Sequence, residues 1–285
     1  MSRPAKITLF SHQYPEQTGD AVHWVIDRAC ELGIEVRLPE EEVVKHRLAE
    51  REGCVLGAPA DGVTDLVIVL GGDGTILTAL RAFAGRRAPV FAVNYGAIGF
   101  LSTVDHGQLT EGITRALSGD YEILGMPALA IDVAGERRIG VNDISFHRRP
   151  HSRVAELEYL VRGEQLGHVR CDGLVASTPV GSTGYNLANG GPVLAWGVEG
   201  FVVSFIAPHT LTARALVVAP GDTLTVLNTS ERDHVEVTTD GRTVTELQPM
   251  RQLDVHLSHN EVLLAQIPGS TFYHRFRDKF GRLAY

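Results

Sequence analysis

The apolar positions fall into two regimes along the chain. Up to residue 118, short apolar runs alternate with segments of helical period. The run 66–70, Leu66-Val67-Ile68-Val69-Leu70, has no polar alternation, which predicts a strand buried on both faces, as in a parallel α/β sheet. Residues 7–10, 34–38 and 89–94 read as further strands. A helix is predicted over 18–32, with Val22, Val25, Ile26, Ala29 and Leu32 on one side and Gly33 ending it. Ile76, Leu77, Leu80 and Phe83 mark a second helix, opened by Thr75, and 107–118 a third. Residues 40–52 are highly charged and read as a solvated helix or excursion, with Glu40, Glu41 and Glu42 at the surface. Strands alternating with helices predict a doubly wound, Rossmann-like parallel sheet.

From about residue 121 the helical period fades. Runs rich in Val, Ile, Leu and Thr at 129–133, 137–146, 155–162, 201–206, 223–227, 234–238 and 253–257 are separated by Gly, Pro, Asp and Asn. This predicts a mostly β, sandwich-like domain. The end, 271–285, is amphipathic and basic, with Phe272, Phe276, Phe280 and Leu283 in rough helical register. The expected division is an α/β domain over 1–120, completed by a C-terminal helix at 268–285, and a β-rich domain over 121–267.

Composition narrows the function classes. The chain has 285 residues, 44% hydrophobic and 21% charged, which suits a globular protein with a sizeable core. A net charge of −8 argues against a broad nucleic-acid surface. Cys30, Cys54 and Cys171 have no paired spacing and read as reduced thiols of a cytosolic protein. No signal peptide and no membrane-spanning run is predicted.

Two stretches carry chemistry. In the first, Gly71-Gly72-Asp73-Gly74-Thr75 joins a buried strand to a helix. Such a glycine-rich turn leaves amides open to a ligand at the carboxyl edge of a parallel sheet. Asp73 is unusual there, because a carboxylate among phosphate-binding amides repels phosphate unless it binds a metal or takes a proton. Acid–base work and simple capping of the helix are both open at this stage. In the second stretch, 172–192, hydroxyls of Ser177, Thr178, Ser182 and Thr183 alternate with glycines in a way that suits neither helix nor core strand. That loop can bind phosphates or sugar hydroxyls, with Tyr185 placed to pack on a base. Asn142-Asp143 interrupts an apolar run and needs polar partners if buried, either ribose or base edges or the bonds of a hairpin bend. Segment 208–214 adds His209, a ligand contact or a turn former. No G-x-x-x-x-G-K-[ST] motif is present, which excludes a Walker-type ATP site.

Taken together, these pieces resemble the NAD kinases. The GGDG turn, an Asn-acidic pair, the D-G…S-T-P-x-G-S-T-x-Y…G-G-P segment and P-H-x-L-x-x-R occur in family order from Gly71 to Arg214. The GGDG turn is shared with diacylglycerol, sphingosine and phosphofructo-kinases, whereas the 172–192 segment is much more specific. The chain departs from the family pattern at Asp143 (commonly Glu), Val180 (Thr), Gly184 (Ala), Thr212 (Ser) and Ala215 (Pro). None of these removes a group assigned to chemistry.

The resemblance implies transfer of the γ-phosphate of ATP to the adenosine ribose 2′-hydroxyl of NAD, with Asp73 taking the hydroxyl proton. It places ATP phosphates on Gly71, Gly72, Gly74 and Thr75, with Mg²⁺ bridging the phosphates and few direct protein ligands. It places NAD against Asn142, Asp143, Asp172, Thr183, Gly184 and Tyr185, with Phe100, Asn186, Leu187 and Ala188 nearby. Arg153, Arg170 and Arg242 stand where family members contact the dinucleotide, and Arg170 implies a preference for NAD over NADH. A cytoplasmic homodimer or homotetramer with inter-subunit sites is expected. The alternatives are a lipid or sugar kinase of the same superfamily and a non-catalytic NAD(P)-binding sensor.

Overall fold

The computed structural model describes residues 2–96, 99–150, 153–269 and 271–281. Ala97 and Ile98 of the stretch after the 89–94 strand, and Leu283 of the C-terminal helical pattern, lie outside them. The chain divides into two units, residues 1–125 with 262–285, and residues 126–261.

The first unit begins with β1 (Lys6–Ser11), α1 (Gly19–Glu31), β2 (Glu35–Leu38), α2 (Glu40–His46) and β3 (Cys54–Leu56). It continues with β4 (Leu66–Gly71), α3 (Asp73–Ala82), β5 (Val90–Asn94), β6 (Val104–Asp105) and α4 (Leu109–Ser118). The strands pair in parallel in the order β3-β2-β1-β4-β5. Helix α1 buries Val22, Val25, Ile26 and Ala29 against Ile7, Leu9 and Ile68 of the sheet, on the face its period predicts. All six residues of β4 are buried, in keeping with its unbroken apolar run. The order of strands reverses between β1 and β4, so the turn after β4 opens at the switch point where such sheets bind ligands.

Residues 40–52 differ from expectation. They hold the short helix α2, and Glu42 is buried, not at the surface. Its carboxylate accepts from the Ser11 amide at 3.0 Å, the Ser11 hydroxyl at 2.5 Å and the Lys45 ammonium at 2.8 Å. A buried carboxylate is tolerable with that many donors. The strand β3 that follows has no alternation long enough to announce it. Its Cys54 brings the sulfur to 3.9 Å from that of Cys30, although the two have no paired spacing in sequence and both are free thiols.

The second unit is built from two antiparallel sheets. Its strands are β7 (Glu122–Val133), which starts in the first unit, β8 (Glu136–Gly140), β9 (Asp143–Arg148), β10 (Ala155–Val161), β11 (Glu164–Cys171) and β12 (Gly173–Ser177). After a short helix α5 (Tyr185–Ala188) come β13 (Phe201–Ile206), β14 (Leu216–Val218), β15 (Leu224–Asn228), β16 (Val235–Thr239), β17 (Arg242–Leu247) and β18 (Gln252–Gln266). One sheet runs β14-β13-β12-β9-β16-β17, and β11-β10-β15 pairs onto the first part of β18. Leu157, Leu224 and Val255 from one sheet and Phe146, Leu174 and Val203 from the other share a single core. This is a sandwich. Two expectations are corrected here. The run 137–146 is two strands, broken at Val141-Asn142, and residues 173–177 form a fully buried core strand although their small residues suggested a loop.

The chain then returns to the first unit. Leu264 of β18 pairs in parallel with Val90 of β5, and α6 (Phe272–Phe280) follows, capped by the Thr271 hydroxyl accepting from the His274 amide.

Candidate active site

In the first unit the site is the Gly71–Thr75 turn. Helix α3 starts at Asp73 itself, with Gly72 as the capping residue, so Thr75 is not the opening residue. Gly72 has no side chain to cap with, and Asp73, one residue inside the helix, is not its cap. Its two carboxylate oxygens accept instead from the amides of Phe100, at 3.0 Å, and Leu101, at 3.2 Å. A carboxylate has about four lone-pair sites, so two amides leave room for a substrate hydroxyl. The first-turn amides of Asp73 and Gly74 have no intrahelical acceptor, which favours an anion.

Several glycines are dictated by close approach. A Cβ on Gly99 would overlap the Asp73 carboxylate, lying 2.7 Å from its carbon. One on Gly71 would lie 2.7 Å from the Thr75 hydroxyl, which folds back over that residue. The Thr75 amide is bonded to the Gly72 carbonyl at 3.0 Å, so Thr75 offers a ligand its hydroxyl, not its amide. The Phe100 ring is buried between Phe272 and Phe280, and what it turns toward Asp73 is its amide.

In the second unit, the break at Asn142 is the organising feature. The Asp240 carboxylate accepts from three successive amides, of Val141 at 3.1 Å, Asn142 at 2.7 Å and Asp143 at 3.1 Å. The Asn142 carbonyl in turn accepts from the Thr178 amide at 2.9 Å and the Ser177 hydroxyl at 3.2 Å. Asp143 and Tyr185 line one cavity of about 510 Å³, together with Ser145, His147, Glu236 and Thr238. Tyr185 is 38% exposed and stacks on His147, with centroids 5.6 Å apart. Asp172 is held by Arg148 at 2.6 Å.

The other predicted residues separate into roles. Asn186 is fully buried and binds the loop together, donating to the Ser182 and Pro192 carbonyls at 3.0 and 2.9 Å. The Thr183 hydroxyl donates to the Val180 carbonyl at 3.3 Å, Gly184 and Ala188 are exposed, and Leu187 is half-buried. Arg170 is exposed and lies 3.4 Å from Glu156. Arg242 is exposed on the β16–β17 hairpin, between cavity-lining Gly241 and Thr243. Arg153 is exposed on the segment leading into β10. Sequence reasoning missed Asp240, Arg148 and Gly99. Asp240-Gly241 is a hairpin signal, and Asp240 has φ of 46°, but nothing in sequence says that its carboxylate reaches across to residue 142.

Burial first, and then the Asp240 carboxylate, push the Asp143 carboxyl up to about 7. The sign follows from linkage. Between about 3.8 and 7 the folded chain keeps a proton that the unfolded chain has lost, so the stability Asp143 contributes is present below that window and is lost across it as pH rises. Asp143→Asn is therefore expected to flatten the decline of the thermal midpoint with pH in this window. At pH 7.5 it should gain on the wild type by about 2–4 °C for each kcal/mol recovered. Parallel midpoint curves for the two proteins from pH 4 to 7.5 would contradict the assignment.

Residues 27–121 match the ATP-NAD kinase N-terminal domain and residues 141–267 the ATP-NAD kinase C-terminal domain. The NAD kinase of Geotalea daltonii is 32% identical over 286 residues, spanning 96% of this chain and 97% of its own. That of Gemmatimonas aurantiaca is 35% identical over 227 residues, 78% of each chain. The chain belongs to the NAD kinase family. Its activity is that of the family, ATP-dependent phosphorylation of NAD, and a lipid or sugar kinase or a non-catalytic sensor is not favoured. The NAD kinase fold is also seen in two solved structures. Yeast NADH kinase complexed with NADH superposes with a TM-score of 0.87 at 20% identity, covering 100% of this chain and 89% of that one. An NAD kinase from Archaeoglobus fulgidus in complex with ATP does so with a TM-score of 0.73 at 23% identity, covering 98% of each. No helix among the described residues is long and apolar enough to cross a membrane.

Proposed function

We propose that Asp73 is the general base of this NAD kinase, taking the proton of the adenosine ribose 2′-hydroxyl as it attacks the γ-phosphorus of ATP. The observation that carries this is the carboxylate's anchorage. Both oxygens are fixed by amides of another loop, so its position owes nothing to helix capping. A base pre-oriented in this way is what phosphoryl transfer asks of a protein, since that reaction is mostly positioning and charge neutralisation. In this reading the α/β domain, residues 1–120 with the C-terminal helix 268–285, handles ATP through Gly71, Gly72, Gly74 and the Thr75 hydroxyl.

Residues 121–267 hold NAD. Asn142 and Asp143 bind ribose hydroxyls, and Tyr185, Asp172, Thr183 and Gly184 bind the dinucleotide, with Arg153, Arg170 and Arg242 near its phosphates or rings. Asn186, Leu187 and Ala188 adjoin these contacts on the same loop, and Phe100 supplies an amide that holds the base. A divalent cation, Mg²⁺ by preference, enters with ATP as part of the substrate and neutralises phosphate charge. The donor set suits this. Asp73 already accepts two amides, and the lone pairs left to it are those that receive the substrate hydroxyl. The protein acts in the cytoplasm as a homodimer or homotetramer, with residues of the 172–185 loop serving a neighbour's ligand.

The direct test is initial-rate formation of NADP from NAD, ATP and Mg²⁺, with NADH and polyphosphate in parallel. Exposed Arg170 leads us to expect turnover of NAD well above that of NADH. Equal rates would remove the preference, and absence of ADP release with NAD would remove the activity.

A further inference from the structure

The Asp73 carboxylate is oriented by residues 99–103, and that segment is itself held from the far end of the chain. The Thr103 amide donates to the Ala92 carbonyl at 2.7 Å, and the Thr103 hydroxyl donates to the Ala265 carbonyl at 2.7 Å. Next along, the Arg275 guanidinium donates through Nη1 to the Ser102 carbonyl and through Nη2 to Gln266 Oε1 at 2.6 Å. The Phe100 ring is stacked on Phe272 at 6.0 Å and tilted against Phe280 at 5.9 Å. The Lys279 ammonium lies 4.7 Å from the centre of the same ring. Helix α6 thus grips residues 100 and 102, on either side of Leu101.

We propose that α6 is a positioning element for the base, and that Arg275 is its positioning residue, acting on Asp73 through residues 100–102. Two details favour this over simple packing. First, the grip falls on Phe100, whose amide binds the carboxylate, and on Ser102, so that Leu101, the second amide donor, lies between the two held residues. Second, the Arg275 side chain is half-buried in the unit. Burial lowers its pKa from the ordinary value, against the pull of the Asp73 and Asp105 carboxylates, so the guanidinium lies within electrostatic reach of the base as well as of its loop. Release of this hold lets residues 100–102 drift and Asp73 with them, while the Gly71–Thr75 turn and the NAD-holding unit keep their own bonds. The loss therefore belongs to the chemical step and not to substrate binding.

The proposal rests on Asp73 being the base, and the experiment separates the two. Steady-state kinetics of the full chain are compared for wild type, Arg275→Ala, Arg275→Lys, Asp73→Asn and Asp73→Asn/Arg275→Ala. Arg275→Ala is expected to lower kcat by about 10- to 100-fold, the scale of an ångström-size misplacement, with KM for NAD and for ATP within about twofold. Arg275→Lys is expected to recover most of the loss. In the Asp73→Asn background, Arg275→Ala should cost less than about twofold more, because residues that act as one unit are not additive.

A kcat for Arg275→Ala within about twofold of wild type overturns the proposal. So does a loss carried by KM, or the full loss repeated in the Asp73→Asn background. Near-wild-type turnover of Asp73→Asn alone overturns the base reading instead. Circular dichroism checks the fold. If Arg275→Ala does not fold, Phe280→Leu decides in its place: a kcat reduced at least about threefold at unchanged KM supports the positioning role, and an unchanged kcat refutes it.

Discussion

Asp73→Asn is expected to lower kcat by about 10²–10⁴-fold, the usual cost of losing a general base, while the fold survives. The substitution is close to isosteric but changes two things. The amide cannot take a proton from the ribose hydroxyl. It also presents one N–H₂ where the native carboxylate presents a second acceptor, so one of the Phe100 and Leu101 amides loses its partner. At a half-buried site that costs about 1 kcal/mol or a little more, which leaves the chain folded. The loss should appear in kcat with KM for NAD changed little, because the proton is moved only in the transition state. Coupled-assay kinetics together with a thermal melt settle the matter. A variant that folds and turns over at near the wild-type rate would falsify the assignment of Asp73 as base.

The second large effect is structural and concerns NAD. A Cβ on Gly181 would collide with the backbone of Asn142, 2.6 Å from its Cα. That backbone cannot yield easily. Asp240 holds its amides on one side, and Thr178 and Ser177 hold its carbonyl on the other. Gly181→Ala must therefore push the 177–185 loop away from Asn142. The expected outcome is a loss of about 1–3 kcal/mol or more of stability and a KM for NAD raised by about tenfold or more. Gly197 serves as the control in the same unit, since a Cβ there meets nothing within 4 Å. Gly197→Ala should melt within a degree or two of wild type. If Gly181→Ala behaves like the Gly197 variant, the close approach of loop and break is not what shapes the proposed NAD site.

The parts of the fold that could be read in advance share a property. Strand β4 and helix α1 declare themselves because burial on two faces or on one stripe leaves a local period of apolar residues. The GGDG turn is legible for a similar reason, since its glycines sit where the backbone must turn sharply and stay open to a ligand. Strand β12 was hidden because its buried places are filled by Gly, Ala and Ser as well as Leu and Val, a composition that also suits loops. Burial of Glu42 was hidden because it depends on donors from Ser11 and Lys45, and no local pattern records them. Asn142-Asp143 marked an interruption between β8 and β9, but what holds it was hidden, because its partner is Asp240, about a hundred residues later in the chain.

For the site the division is the same. Residue types alone marked Asp73, Asn142-Asp143 and the 172–192 loop, since phosphate and ribose recognition need amides, hydroxyls and carboxylates clustered among glycines. The sequence by itself thus determined the two layers of the fold, the family and the residues to examine. The residues of the turn alone left Asp73 open between a helix cap and a base, and the family resemblance chose the base. Only the tertiary structure removed the cap, by showing that the carboxylate is held by the amides of Phe100 and Leu101, and that the Phe100 ring packs on a helix that begins at residue 272. The physical reason is range. Periodicity and turn chemistry act between neighbours in sequence, whereas the orientation of a charged side chain is set by whichever donors folding brings within 3 Å of it.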